Sequence, residues 1–164
     1  MPTKVRVCGL MLAYFKAEMT EQCLQTLVDQ GIERIILVDN SANVIENQRT
    51  LTLATRFPTG WLKVIISPQN PGFAKGINLA LQHARESGPW DYFLVLNNHI
   101  KAQSQLVQQS TEYMQQLPLT TLLGVKADTG NGIQGGLYYQ RLTGLMFRKP
   151  IIGSFQVVSG CCFM

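Results

Sequence analysis

Residues 92–100 read YFLVLNNHI, and the fold turns on how that stretch is read. Four apolar residues, Phe93, Leu94, Val95 and Leu96, run straight into Asn97, Asn98 and His99. An apolar run this short, closed by turn-type residues, reads as a buried strand rather than a helix. In open α/β sheets, ligands sit beyond the carboxyl ends of parallel strands. A strand that breaks into polar residues at its end is therefore a candidate site as well as a fold signal.

The same alternation extends in both directions. Residues 4–13 read as a strand. Residues 20–30 read as a helix, with Leu24, Leu27 and Val28 on one face and Gly31 placed to end it. Residues 35–38 form a β-branched run that stops at Asp39-Asn40-Ser41. Residues 43–57 read as helical and residues 62–67 as a third strand. Phe73, Ile77, Ala80, Leu81 and Ala84 recur at helical spacing before Gly88. Residues 91–96 are the fourth strand. Leu106, Ser110, Tyr113, Met114 and Leu117 give another amphipathic helix, with Ser104 as its expected N-cap. Residues 122–127 are expected to be a fifth strand. Strands alternating with helices predict a mostly parallel central sheet with helices on both faces. Beyond Ala127 the pattern changes: residues 128–136 are rich in glycine and turn formers. Residues 138–147 and 155–164 then read as strands without helices between them, a β-rich C-terminal end.

Composition narrows the function classes. The chain has 164 residues, 46% hydrophobic and 15% charged, which suits one globular domain with a substantial core. The net charge of +4 is mild and scattered, so a nucleic-acid groove is not expected, whereas a phosphorylated ligand is compatible. Cys8, Cys23, Cys161 and Cys162 show no metal-type CxxC spacing and are expected to be reduced core thiols in a cytosolic setting. The apolar run after Lys4 and Arg6 meets Lys16 and Glu18 without a small-residue cleavage site, so it reads as a strand rather than a leader. No apolar run approaches the ~20 residues needed to cross a bilayer. The sequence is apolar through residues 157–164, which suggests a truncated product whose last residues promote self-association.

Three strand ends carry polar clusters: Asp39-Asn40-Ser41, the segment QNPGFAKGIN at residues 69–78, and Asn97-Asn98-His99. Each has an ordinary reading. Asp, Asn and Ser satisfy their own backbone in turns. Gly72 and Gly76 serve a tight loop or close helix packing, or else they let helix amides and Lys75 face a diphosphate. A lone histidine is more often structural or solvated than a ligand, and His83, beside Gln82 and Arg85, reads as a surface residue.

The order of these clusters is more specific than any one of them. VDNSA, then NPGFAKGIN, then YFLVLNNHI resembles family 2 of the glycosyltransferases, with the GT-A fold, and is most similar to its rhamnosyltransferase-type members. FQVVSGCCFM resembles the family strand that carries a Ser-Gly pair beside the sugar. The resemblance implies a single GT-A domain over residues 1–164. Residues 1–100 would be the nucleotide-binding half, and residues 101–164 an incomplete part on the sugar and acceptor side. It implies that Ala13 and Tyr14 line the base, that Asp39 hydrogen-bonds it with Asn40 beside it, and that Asn70, Gly72, Lys75 and Asn78 shape the nucleotide and diphosphate pocket. Asn98 would also belong to the nucleotide site, His99 would occupy the metal position, and Gly160 would lie beside the sugar. The implied partners are a nucleotide-diphosphate sugar, a divalent metal (Mg²⁺ or Mn²⁺) and a saccharide or lipid-linked acceptor. The implied role is inverting sugar transfer in surface-polysaccharide assembly, in the cytoplasm at the inner face of the membrane.

Two departures qualify it. The family's motif ends in an acid where this chain has His99, so the site either holds metal differently, lets a protonated imidazole meet the diphosphate, or is weakened. The acidic segment that supplies the catalytic base is not matched: Asp128 is the only acid after Glu112 and stands elsewhere. A degenerate, non-catalytic nucleotide-sugar-binding domain is the alternative. A nucleotidyltransferase fits poorly, because Ala13-Tyr14-Phe15-Lys16 lacks that class's glycine-rich loop.

Overall fold

The computed structural model describes residues 5–117, 122–128, 133–134, 137–140, 142–143, 145–147, 149, 151–152, 154–157 and 162–164. Its centre is a sheet of four parallel strands: β1 (Val7–Ala13), β2 (Arg34–Asp39), β3 (Leu62–Ile66) and β4 (Tyr92–Asn97). A short antiparallel strand, Cys162–Phe163, pairs with β4 and gives the spatial order Cys162–Phe163, β4, β1, β2, β3. The chain thus winds outward from β1 to β3, then crosses back to lay β4 on the other side of β1. That reversal makes the β1/β4 boundary a topological switch point.

Side-chain alternation explains why the sheet is buried on both faces. Val7, Met11, Ala13, Ile35, Leu37, Leu94 and Leu96 point to one core. Cys8, Leu10, Ile36, Val38 and Val95 point to the other. The first core is covered by α1 (Ala17–Gln25), α2 (Val44–Leu53) and α4 (Leu106–Gln116), through Cys23, Leu24, Leu53, Val107 and Met114. The second is covered by α3 (Phe73–Glu86), through Ile77, Ala80 and Ala84. The small residues Ala80 and Ala84 let α3 lie close to the strands. Gly76 goes further: a Cβ there would stand 2.4 Å from Leu12 Cδ1 and 3.0 Å from Asn40 Nδ2.

Several expectations are corrected in detail. α1 stops at Gln25, and Leu27 reaches the core from the turn that follows. α4 begins at Leu106 with Gln105 in a left-handed conformation (φ 68°) and no side-chain cap, so Ser104 does not cap it. Residues 122–126 do not join the parallel sheet. Leu123 exchanges backbone hydrogen bonds with Met164, and Gly124 bridges Phe163, so the segment lies antiparallel to the last residues. The expected strand at 138–147 is a hairpin, Leu137–Gln140 with Leu145–Phe147, in which Gln140 Oε1 accepts from Thr143 N–H at 2.8 Å. Ser154–Val157 pairs on the hairpin's other side, and Ala127–Asp128 pairs with Ile133–Gln134. Near the C-terminal end Cys162 and Met164 are buried, Cys162 paired with β4 and Met164 with Leu123. Cys8 and Cys23 are free, buried thiols, Cys162 is buried as well, and Cys161 lies outside the described residues. Among the described residues, no helix is long and apolar enough to cross a membrane.

Candidate nucleotide site at the strand ends

Strand register puts the three polar clusters on one edge. Ala13 pairs with Asp39, Asp39 with Ile66, and Leu12 with Asn97. The chain therefore leaves β1, β2, β3 and β4 within one residue of the same level, and each exit leads into one of the candidate segments.

At the β2 end, Asp39 is completely buried. Its Oδ1 accepts from the Ser41 backbone N–H at 2.9 Å and from the Ser41 hydroxyl. The Ser41 hydroxyl in turn accepts from Phe15 N–H at 2.7 Å, tying the β1 exit to the β2 exit. With the Asn47 amide oriented to satisfy its neighbours, its nitrogen donates to Asp39 Oδ2 at 3.1 Å. Three donors thus hold this carboxylate, and a carboxylate has capacity for about four. Phe15 and Lys16 take left-handed backbone conformations (φ 57° and 58°), which turns the chain sharply from β1 into α1. Tyr14 is exposed and meets the Phe15 ring edge-on. Below them, Asn43 caps α2 by accepting from Glu46 N–H, and Glu46 Oε2 accepts from Ala17 N–H at 3.4 Å.

Asn40 is buried, and its amide nitrogen donates to Asn70 Oδ1 at 3.4 Å and to the Gly72 carbonyl at 3.3 Å. Asn70 Oδ1 also accepts from Gly72 N–H at 3.0 Å. Gly72 sits at φ 85°, a conformation that favours glycine, and leads directly into α3. The first-turn amides of a helix have no intrahelical acceptor, so the start of α3 presents free N–H groups, with the exposed Lys75 among them. Among the described residues, the buried Asn40 Oδ1 has no hydrogen-bond partner. Asn78 stands apart, on an exposed stretch of α3 that forms a shallow groove with Leu81, Gln82 and Arg85.

At the β4 end, Asn98 is half-buried and His99 is exposed, with no hydrogen bond to His99 among the described residues. Gly160 lies outside the described residues. His83, read as a surface residue, is only partly exposed and lies 3.4 Å from Glu86. Among the described residues, no group of three or more His, Cys, Asp or Glu side chains comes together as a metal site. A divalent oxygen-seeking cation needs several hard ligands. The described residues do not build such a cage on their own.

Reading the polar clusters alone missed the residues that hold them. Asn47 and Glu46 stand behind the Asp39 end. Thr20, Cys23 and Thr26 stand behind the β4 end. A signal existed for the latter: small polar groups spaced three apart on an otherwise apolar helix face.

A doubly wound parallel sheet with polar residues at its switch point is the layout in which α/β domains bind ligands at their strand ends. The chain belongs to glycosyl transferase family 2, whose sequence pattern matches residues 10–163. Among solved structures it is similar to a mannosyltransferase from Pyrobaculum calidifontis, in complex with GDP-Man and Mn²⁺, with a TM-score of 0.62 and 15% identity. That likeness establishes the fold. It covers 77% of this chain and 37% of the mannosyltransferase chain. No curated protein matches.

Proposed function

We propose that this chain binds a nucleotide-diphosphate sugar across the β1/β4 switch point and transfers the sugar to a hydroxyl acceptor. The observation that carries the reading is the shared edge. A buried carboxylate with one acceptor position left, a helix N-terminus with a lysine, and the Asn98–His99 pair end the strands of a family 2 domain at one level. Asp39 keeps one acceptor position for a base N–H, with Tyr14 and Ala13 beside it. Asn40, Asn70 and Gly72 hold the start of α3 toward the diphosphate, and Lys75 adds charge. The mannosyltransferase with GDP-Man supports a nucleotide sugar as the donor class. The finer picture is rhamnosyltransferase-type, inverting transfer to a saccharide or lipid-linked acceptor, in surface-polysaccharide assembly at the inner membrane face.

The test is calorimetric titration with UDP, GDP and dTDP, each with and without Mn²⁺, followed by donor hydrolysis assays. Saturable binding of one nucleotide is expected, and no binding to any of the three overturns the reading. A second reading is favoured by one observation: His99 stands where the family has an acid. In that reading the domain binds nucleotide sugar without turnover. Native and His99→Asp chains that both bind nucleotide, while neither hydrolyses donor, would establish it.

A further inference from the structure

β4 ends at Asn97, and from Asn98 onward the sheet ladder no longer holds the chain. Something else must fix the residues that follow. Along α1 and its C-cap, three small groups spaced three apart face this loop. Thr20 Oγ1 accepts from Asn98 Nδ2 at 2.9 Å. The Cys23 sulfur lies 3.7 Å from the Asn97 carbonyl. Thr26 Oγ1 accepts from Ala102 N–H at 3.1 Å while donating to the Cys23 carbonyl at 2.7 Å. The loop is therefore pinned at its start, at its base and at its exit by one helix.

Thr20 is fully buried beside Leu24 and Cys23 on a face that packs on the sheet. Packing alone does not call for a hydroxyl there, since an unpaired buried hydroxyl costs stability. Its own hydrogen reaches back to the Lys16 carbonyl at 3.5 Å, which leaves an oxygen lone pair for Asn98. Cys23 is buried too, and that burial pushes its thiol up to about 12, so it stays S–H and donates to Asn97. With its amide nitrogen committed to Thr20, Asn98 keeps its Oδ1 without a partner among the described residues, and His99 keeps both ring nitrogens.

We infer that Thr20 is a positioning residue: its buried hydroxyl sets the Asn98 side chain, and with it the His99 turn, against the phosphate part of the donor. This rests on the proposed nucleotide site. The same helix is tied at its start to the β2 end, through Glu46 on Ala17 N–H and Ser41 on Phe15 N–H. α1 is thus a strut between the Asp39 side and the His99 side, and Thr20 is its contact at the His99 end.

The experiment compares Thr20→Val and Thr20→Ser in the full chain. Affinities for UDP, GDP and dTDP are measured beside those for uridine, guanosine and thymidine. Thr20→Val is expected to weaken the diphosphate by about fivefold to tenfold, the cost of one hydrogen bond. Nucleoside affinity is expected to hold within about twofold, and Thr20→Ser to restore the diphosphate. An equal loss for nucleoside and diphosphate, or no loss for either, overturns the inference. The second readout is the Asn98 side-chain amide in NMR, which needs no ligand and no unfolding-prone variant. Slow exchange in the native chain, kept in Thr20→Ser, is expected; solvent-like exchange in the native chain overturns the inference. If the native chain binds no nucleotide, the proposed function falls, and the amide signal still decides whether Thr20 holds Asn98.

Discussion

The Asp39 end and the His99 end of the site are built in opposite ways. Asp39 is completely buried, held by Ser41 and Asn47 within its own strand exit and the helix that follows. His99 is exposed at a strand exit held from a different helix. A group locked by local partners is part of the fold's stability, and a group held at one remove is free to vary. One edge of a sheet thus joins a buried, locally fixed side chain to an exposed, adjustable one.

The largest effect is expected where the fixed end is broken. Asp39→Ala removes the acceptor from three buried or part-buried donors, so it should lower stability by about 3 kcal/mol and abolish nucleotide binding. Urea midpoints and calorimetry would measure both, and an unchanged nucleotide affinity would sink the assignment of Asp39. Next comes the close approach of α3. Gly76→Ala places a methyl against Leu12 and Asn40, and should cost about 1–2 kcal/mol as the helix N-terminus is displaced. If the melting temperature does not move, the packing is looser than described.

A smaller effect comes from pH. Burial raises the Cys23 thiol from 9.0 to about 12, and Cys8 likewise. The folded state resists their ionisation more than the unfolded state does. The stability they contribute is therefore fully present below about pH 9 and is lost as pH rises toward about 12. At pH 8 both thiols should react with a disulfide reagent only as fast as the chain opens. Rapid labelling of Cys23 in the folded protein would contradict its place under the Asn97 loop. The smallest stability change belongs to His99→Asp, within about 0.5 kcal/mol because the side chain is exposed. Its informative readout is ligand binding: Mn²⁺ should strengthen nucleotide affinity more in the variant than in the native chain. Equal Mn²⁺ dependence would mean that this position does not set metal use.

Much of this could be read from the residues. The period-two and helical patterns of the parallel half are strong because each strand is buried on both faces and each helix on one. Those patterns gave β1 to β4, α2 and α3 with small boundary shifts. They failed where pairing is long-range. Residues 122–127 carry the composition of a sheet strand, yet residues 123–125 lie against residues 162–164 and Ala127 pairs with Gln134, which no local pattern reveals. Ser104 suits an N-cap chemically, but the turn at Gln105 takes the helix start past it. For the site, the clusters were legible because polar residues at the ends of apolar runs stand out. The spacing of Thr20 and Thr26 was a signal, but it announces no partner. Their roles exist only once α1 is folded over β4.

The antiparallel pairing of Cys162–Phe163 with β4 has a consequence for how this site comes into being. Parallel neighbours β1 and β2 are joined by one helix, but Leu96 meets Cys162 only after most of the second half of the chain has been placed. Closing so long a loop costs entropy before any contact repays it, and topologies of this kind fold slowly. The strand that delivers Asn97, Asn98 and His99 therefore acquires its outer neighbour late. In refolding, amides paired across β1 and β2 should gain protection early, and those shared by β4 and its antiparallel partner last. The Asp39 end would be in place before the His99 end has stopped moving.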